Sequence, residues 1–222
     1  MILAVTRIWL AVVMVASLGC HGAAEAQEFS ADLVVTRAGD AAAPATGRIF
    51  VAENKIRIET PDLPDGVFLL DTKAGSAIFL RPARGVMMDA RETSLLTQLL
   101  VPVAPEMPCA SWQAMAVIAG AAEQGGQWQC ARRDAETIAG RDLIHYALVS
   151  PRNLQIEVWI DVARRFPVRL KTDSGETVAL DHFFDNAPRP DLFAVPAGTR
   201  RFDPEHLIDR IKQSDVWVEP PK

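Results

Sequence analysis

The hydrophobic positions of the chain recur with a period of two over most of its length, the spacing of strands that bury one face. Ile49 and Val51 alternate with Arg48, Phe50 and Ala52, and Ile56 and Ile58 alternate with Lys55, Arg57 and Glu59. Glu53-Asn54 stands between the two runs as a tight turn, which predicts a hairpin. Val67–Leu70, Ala77–Leu80 and Val86–Met88 follow, divided by the turn residues Lys73-Ala74-Gly75-Ser76 and Pro82-Ala83-Arg84-Gly85. These three runs are apolar on both faces. Such strands need two covers, a core on one side and helices, another sheet or a ligand on the other. Late in the chain, Leu154, Ile156, Val158 and Ile160 alternate with polar residues, as do Phe166, Val168 and Leu170, and a turn at Asp173-Ser174-Gly175 leads into Val178–Phe184.

The middle changes period. Leu95, Leu96, Leu99 and Leu100 fall at helical spacing within 92–100, with Thr93 or Ser94 as caps and Pro102 as the stop. Trp112, Met115, Ile118 and Ala119 form one stripe of a second helix over about 110–122, ended by Gly125-Gly126. A third helix is expected over 204–213, before a loose tail from Val216. The pattern predicts a mainly β domain with α elements: ten to twelve strands, a helical insertion near 91–125, and an antiparallel sheet curved enough to enclose the helices.

The first 26 residues break the pattern altogether. Arg7 precedes an apolar run from Ile8 to Leu18, and Ala24-Glu25-Ala26 closes the segment on a small-x-small pattern. This reads as a secretory signal cleaved after Ala26. As a helix the run would cover only about 16 Å against a hydrocarbon core of about 30 Å. Cys20, behind Ser17-Leu18-Gly19, is an alternative lipidation site, although its aliphatic residue lies one place late for that motif. The mature part, 27–222, is expected to be a single exported domain in the periplasm.

Charge and chemistry narrow the function mainly by subtraction. The mature chain keeps 22 basic and 27 acidic residues in no block, which disfavours nucleic acid as a partner. It also keeps two cysteines, Cys109 and Cys130, and in an oxidising compartment these are expected to form a structural disulfide. A redox-active pair is disfavoured because neither sits in a Cys-x-x-Cys motif. His145, His182 and His206 each lack the i, i+4 partner of a metal-binding helix, and His145 shares its face with Leu143 and Ala147, as a partly buried histidine would. Asp181-His182 could orient a base, but no Gly-x-Ser-x-Gly elbow offers a nucleophile, which leaves a hydrolase as the weakest reading. Neither a phosphate loop, a metal site nor a cofactor is predicted. The excess of apolar surface on a curved sheet suits an apolar ligand in a concave site.

The run Phe29-Ser30-Ala31-Asp32-Leu33, the hairpin from Gly47 to Glu59, Val158-Trp159-Ile160-Asp161 with Phe166-Pro167-Val168-Arg169-Leu170, and Asp191–Gly198 together resemble the LolA-like lipoprotein carrier superfamily of the bacterial envelope. The resemblance is to its poorly characterised relatives, because the middle with Cys109 and Cys130 departs from the short carrier pattern. It implies an incomplete antiparallel barrel closed by helices around a cavity for acyl chains. The expected function is a non-enzymatic carrier of a lipid or acylated protein, with transient membrane contact and possible envelope protein partners. The alternative is an envelope interaction or sensor domain whose interior is filled by its own side chains. Phe68, Leu70, Ile78 and Leu80 occupy even positions of two neighbouring runs and are expected to point together into the cavity, with Trp112, Met115 and Ile118 covering them.

Overall fold

A computed structural model describes residues 28–39, 45–90, 95–118, 127–150 and 153–202. The strands are β1 (Phe29–Thr36), β2 (Ala45–Ala52), β3 (Lys55–Glu59), β4 (Val67–Asp71), β5 (Ser76–Arg81), β6 (Val86–Asp89), β7 (Gln129–Ile138), β8 (Arg141–Val149), β9 (Gln155–Asp161), β10 (Phe166–Thr172), β11 (Thr177–Phe184) and β12 (Arg200–Arg201). They form one sheet in the order β12-β6-β5-β4-β3-β2-β1-β11-β10-β9-β8-β7, antiparallel throughout except where β12 runs beside β6. Two meanders, β1–β6 and β7–β11, are thus sewn together by the β1–β11 pair. The outermost strands, β7 and β12, do not pair with each other, so the sheet curls without closing. Between the meanders lie α1 (Leu95–Leu99) and α2 (Pro108–Ile118).

The alternation read from the sequence is the alternation of burial. Ile49 and Val51 of β2 face Ile58 and Ile56 of β3, and all four are fully buried. Val158, Ile160, Phe166, Val168 and Leu170 join the same core, which lines the concave side and takes in Leu99, Leu100 and Trp112 from the helical link. Glu53, with φ 51°, makes the tight β2–β3 turn. Ala139 and Gly140, at φ 51° and 75°, close the β7–β8 hairpin in two residues, a geometry that requires left-handed backbone. Pro167 lies inside β10 beside a register shift, where its missing N–H is tolerated. Cys109, in the first turn of α2, is bonded to Cys130 in β7 and staples that helix to the sheet edge. Helix α2 begins two residues earlier than expected because Pro108 suits the first helical turn.

After β11 the chain runs over the convex side to reach β6. A 3-10 turn at Pro190–Phe193 packs against β3, and Arg57 donates to the Leu192 carbonyl at 3.0 Å before β12 pairs with β6. On this side Val67, Leu69 and Leu80 form a second, small cluster with Ile78 and Met87. The expected grouping of Phe68, Leu70, Ile78 and Leu80 is therefore corrected. The hairpin pairs Phe68 with Phe79 and Leu70 with Ala77, even positions against odd ones. Directly paired residues share a face, so Ile78 and Leu80 point to the convex side while Phe68 and Leu70 point inward.

At the end of the sheet where β1 begins, Arg164 donates to the buried carboxylate of Asp161 at 2.9 Å and to both oxygens of Asp185 at 2.7 Å. Its guanidinium stacks over Phe183. Burial opposes the charge of Arg164, but the two carboxylates outweigh it and raise its pKa. The leader through Ala26 with Cys20, the caps Thr93 and Ser94, the extension of α2 to 122, the helix over 204–213 and His206 lie outside the described residues.

Candidate functional site

The opposite end of the curl, where β1 ends and β4 begins, is open. Here the concave wall is built by Val35 of β1, Phe68 of β4, Ile156 of β9, Leu170 of β10 and Val178 of β11, all projecting inward by strand alternation. Leu96 and Leu99 of α1 face them across a cavity of about 470 Å³. Helix α1 is held in place at its middle and at its C-terminal end. The Thr97 hydroxyl bonds the Ala90 carbonyl at 3.4 Å, and the Trp112 indole N–H donates to the Leu99 carbonyl at 3.1 Å, satisfying a group that a helix C-terminus leaves without a partner. Leu99 and Leu100 are buried, so the helix is anchored by one side while Leu96 faces the hollow.

The rim is polar. Thr60, Asp62 and Leu63 come from the β3–β4 loop, and Thr172 and Glu176 from the β10–β11 turn. Arg37, just beyond β1, bridges the two sides with a 2.7 Å bond to Asp62 and a 3.7 Å contact to Glu176. An apolar hollow of ligand size with a few convergent polar groups at its mouth is the form of a small-molecule binding site, typically about 300–1,000 Å³. Two larger hollows, of about 780 and 710 Å³, open onto strand surface around Glu157 and Lys171 and around Arg48 and Glu59, and their linings carry more ionic side chains.

Of the residues singled out in the sequence, Phe68 lines the cavity. Leu70, Trp112 and Met115 share its side of the sheet but lie in filled core, Trp112 with no exposed surface at all. Ile78 and Leu80 lie on the convex side, and the side chain of Ile118 is outside the described residues. Missed were Val35, Leu96, Leu99, Ile156, Leu170 and Val178. Each carried the periodic signal of its own element, but which elements meet at the mouth depends on a strand order the periodicity does not contain.

The isolated polar candidates are occupied structurally. His145 stacks flat on Trp159 at 4.4 Å, on the convex side, with Glu136 and Glu157 at 3.9 and 4.0 Å. Arg169 covers the Trp159 ring at 4.9 Å. His182 is exposed, and its Nδ1 lies 3.1 Å from Asp32, while Asp181 accepts its backbone N–H. Asp32, missed in the sequence, is therefore the carboxylate that meets this ring. Ser150 accepts the Leu154 N–H in the β8–β9 turn. Among the described residues no group of His, Cys, Asp and Glu is arranged to hold a metal ion, and no helix is long and apolar enough to cross a membrane.

No protein-family model matches the chain, and no curated protein matches it significantly. Among solved structures it is similar to PNGF-II, at 10% identity over 85% of this chain with a TM-score of 0.52, although it spans 34% of that protein. It is also similar to MucB (16% identity over 78% of this chain and 58% of that one, TM-score 0.43). A LolA superfamily protein of Nitrosomonas europaea aligns at 12% identity over 77% of this chain and 90% of its own, with a TM-score of 0.34. The unclosed antiparallel sheet with its helices inside the curl is the architecture that the sequence resemblance implies. The fold is a strongly curved, unclosed antiparallel sheet with α1 and α2 in its curl.

Proposed function

We propose that this protein is a periplasmic binding protein that takes a lipid or acyl chain into the cavity between α1 and the concave wall, and that it acts by binding rather than catalysis. The observation that carries the reading is the 470 Å³ apolar hollow with one polar rim, since an acyl chain offers the matching shape, an apolar length with one polar end. Each methylene buried there contributes about 0.8 kcal/mol, so a modest length of chain supplies a useful affinity without any directional contact. The leader and the Cys109–Cys130 bridge suit an exported, oxidising setting.

A second reading, an envelope interaction domain without a ligand, is favoured by how much of the concave side Trp112, Leu99, Leu100 and Met115 already fill. Native mass spectrometry of the mature protein purified from a periplasm separates the two. Co-purifying lipid, with displacement of a naphthylamine probe by added amphiphile, is expected for the first. A single bare mass with no probe uptake under any condition rejects it in favour of the second.

A further inference from the structure

We infer that the rim selects among amphiphiles by head group, preferring a cationic, hydrogen-bond-donating head to a carboxylate. The inference rests on reading the cavity as an acyl site, because a chain lying in it would leave its head at the mouth. Among the described residues, the charged side chains that line the cavity are Asp62 and Glu176, and no basic side chain lines it. Arg37 stands just outside the lining and is engaged by both carboxylates, at 2.7 Å through Asp62 Oδ2 and 3.7 Å through Glu176 Oε1. The three groups together carry one negative charge. A carboxylate accepts at about four lone-pair sites, so both acids retain acceptor capacity after pairing with Arg37.

The hydroxyl of Thr172 adds little donor capacity, since its single proton already has the Glu176 carbonyl at 3.4 Å and Ser174 Oγ at 2.7 Å as acceptors. An ammonium head would thus meet matching acceptors and opposite charge. A carboxylate head would meet like charge, with the hydroxyls of Thr60 and Thr172 as the side-chain donors of the lining. Both rim acids are about half exposed, so solvent screening keeps the effect modest, on the order of fivefold in affinity.

The test uses dodecylamine, dodecanol and dodecanoate, below their micellar concentrations, as competitors of N-phenyl-1-naphthylamine on the mature protein. The expected order of affinity is amine, alcohol, carboxylate, with the spread shrinking as salt is raised. In the double variant Asp62→Asn, Glu176→Gln the rim becomes positive through Arg37, and the order of amine and carboxylate should reverse. Equal binding of the three, or a carboxylate preference in the wild type that Arg37→Gln removes, would overturn the head-group inference while leaving the cavity reading intact. Binding of none of the three would remove both.

Discussion

The two ends of the concave side are walled by the same kind of strand and differ in what covers them. Under α2 the sheet meets Trp112 and Met115, and with Leu70 and Tyr146 they form continuous core. Under α1 the same inward alternation ends in a hollow. The side chains that the two helices lower onto the sheet account for the contrast. Trp112 of α2 has no exposed surface and packs into the floor, whereas Leu96 of α1 stands across the hollow from the wall. The lesson is that apolar residues in a curved sheet become floor or mouth according to the element laid over them, not according to their own character.

The comparison breaks most readily at Trp112. Trp112→Ala removes a side chain with no exposed surface and the donor that holds the Leu99 carbonyl, and is expected to cost about 3 to 5 kcal/mol. Denaturant unfolding measures it, and a loss under about 1 kcal/mol would mean that the floor is not packed. A paired substitution sharpens the contrast further. Leu70→Trp overpacks the floor and should lower stability by about 1 to 3 kcal/mol. Val178→Trp, at the partly exposed mouth, should leave stability within about 0.5 kcal/mol while abolishing probe uptake. Similar behaviour of the two variants would erase the distinction between the ends.

The smallest expected effect concerns the floor's polar contact. Tyr146, the chain's one tyrosine, is buried and donates its hydroxyl to the Pro105 carbonyl at 2.9 Å. Burial raises its pKa, Arg132 opposes the rise and Glu106 adds to it. The folded state therefore favours the neutral phenol. That contribution is fully present below the unfolded value of about 10 and is lost as pH rises through the higher folded value. Tyrosinate absorbance should show a midpoint above that of the unfolded chain. Tyr146→Phe should flatten the alkaline loss of stability, at a cost of about 1 kcal/mol near neutrality.

Much of this fold is legible along the chain. The hairpin at Glu53-Asn54, the strands through Ile156–Ile160 and Phe166–Leu170 and the helical link between two β regions are all periodic signals, which burial enforces locally. The Cys109–Cys130 bridge followed from counting cysteines in an exported chain. The grouping of Phe68, Leu70, Ile78 and Leu80 was not legible, because the face of β5 relative to β4 depends on the register of their hairpin. A one-position change there turns every side chain over.

The sequence by itself determined most of the strands and the helical link between them, that the strands of Val67–Leu80 are apolar on both faces, and that no local motif offers catalysis. Only the tertiary structure decided what lies on each side: the segment through Pro190–Phe193 against Arg57 of β3, α2 over the floor, and α1 over a mouth walled by Val35, Phe68, Ile156, Leu170 and Val178. Periodicity records the environment of a residue one element at a time. A cavity is a gap among five strands and a helix drawn from 35 to 178 in the chain, and its size is set by their order, their register and the side chains of the helix laid across them.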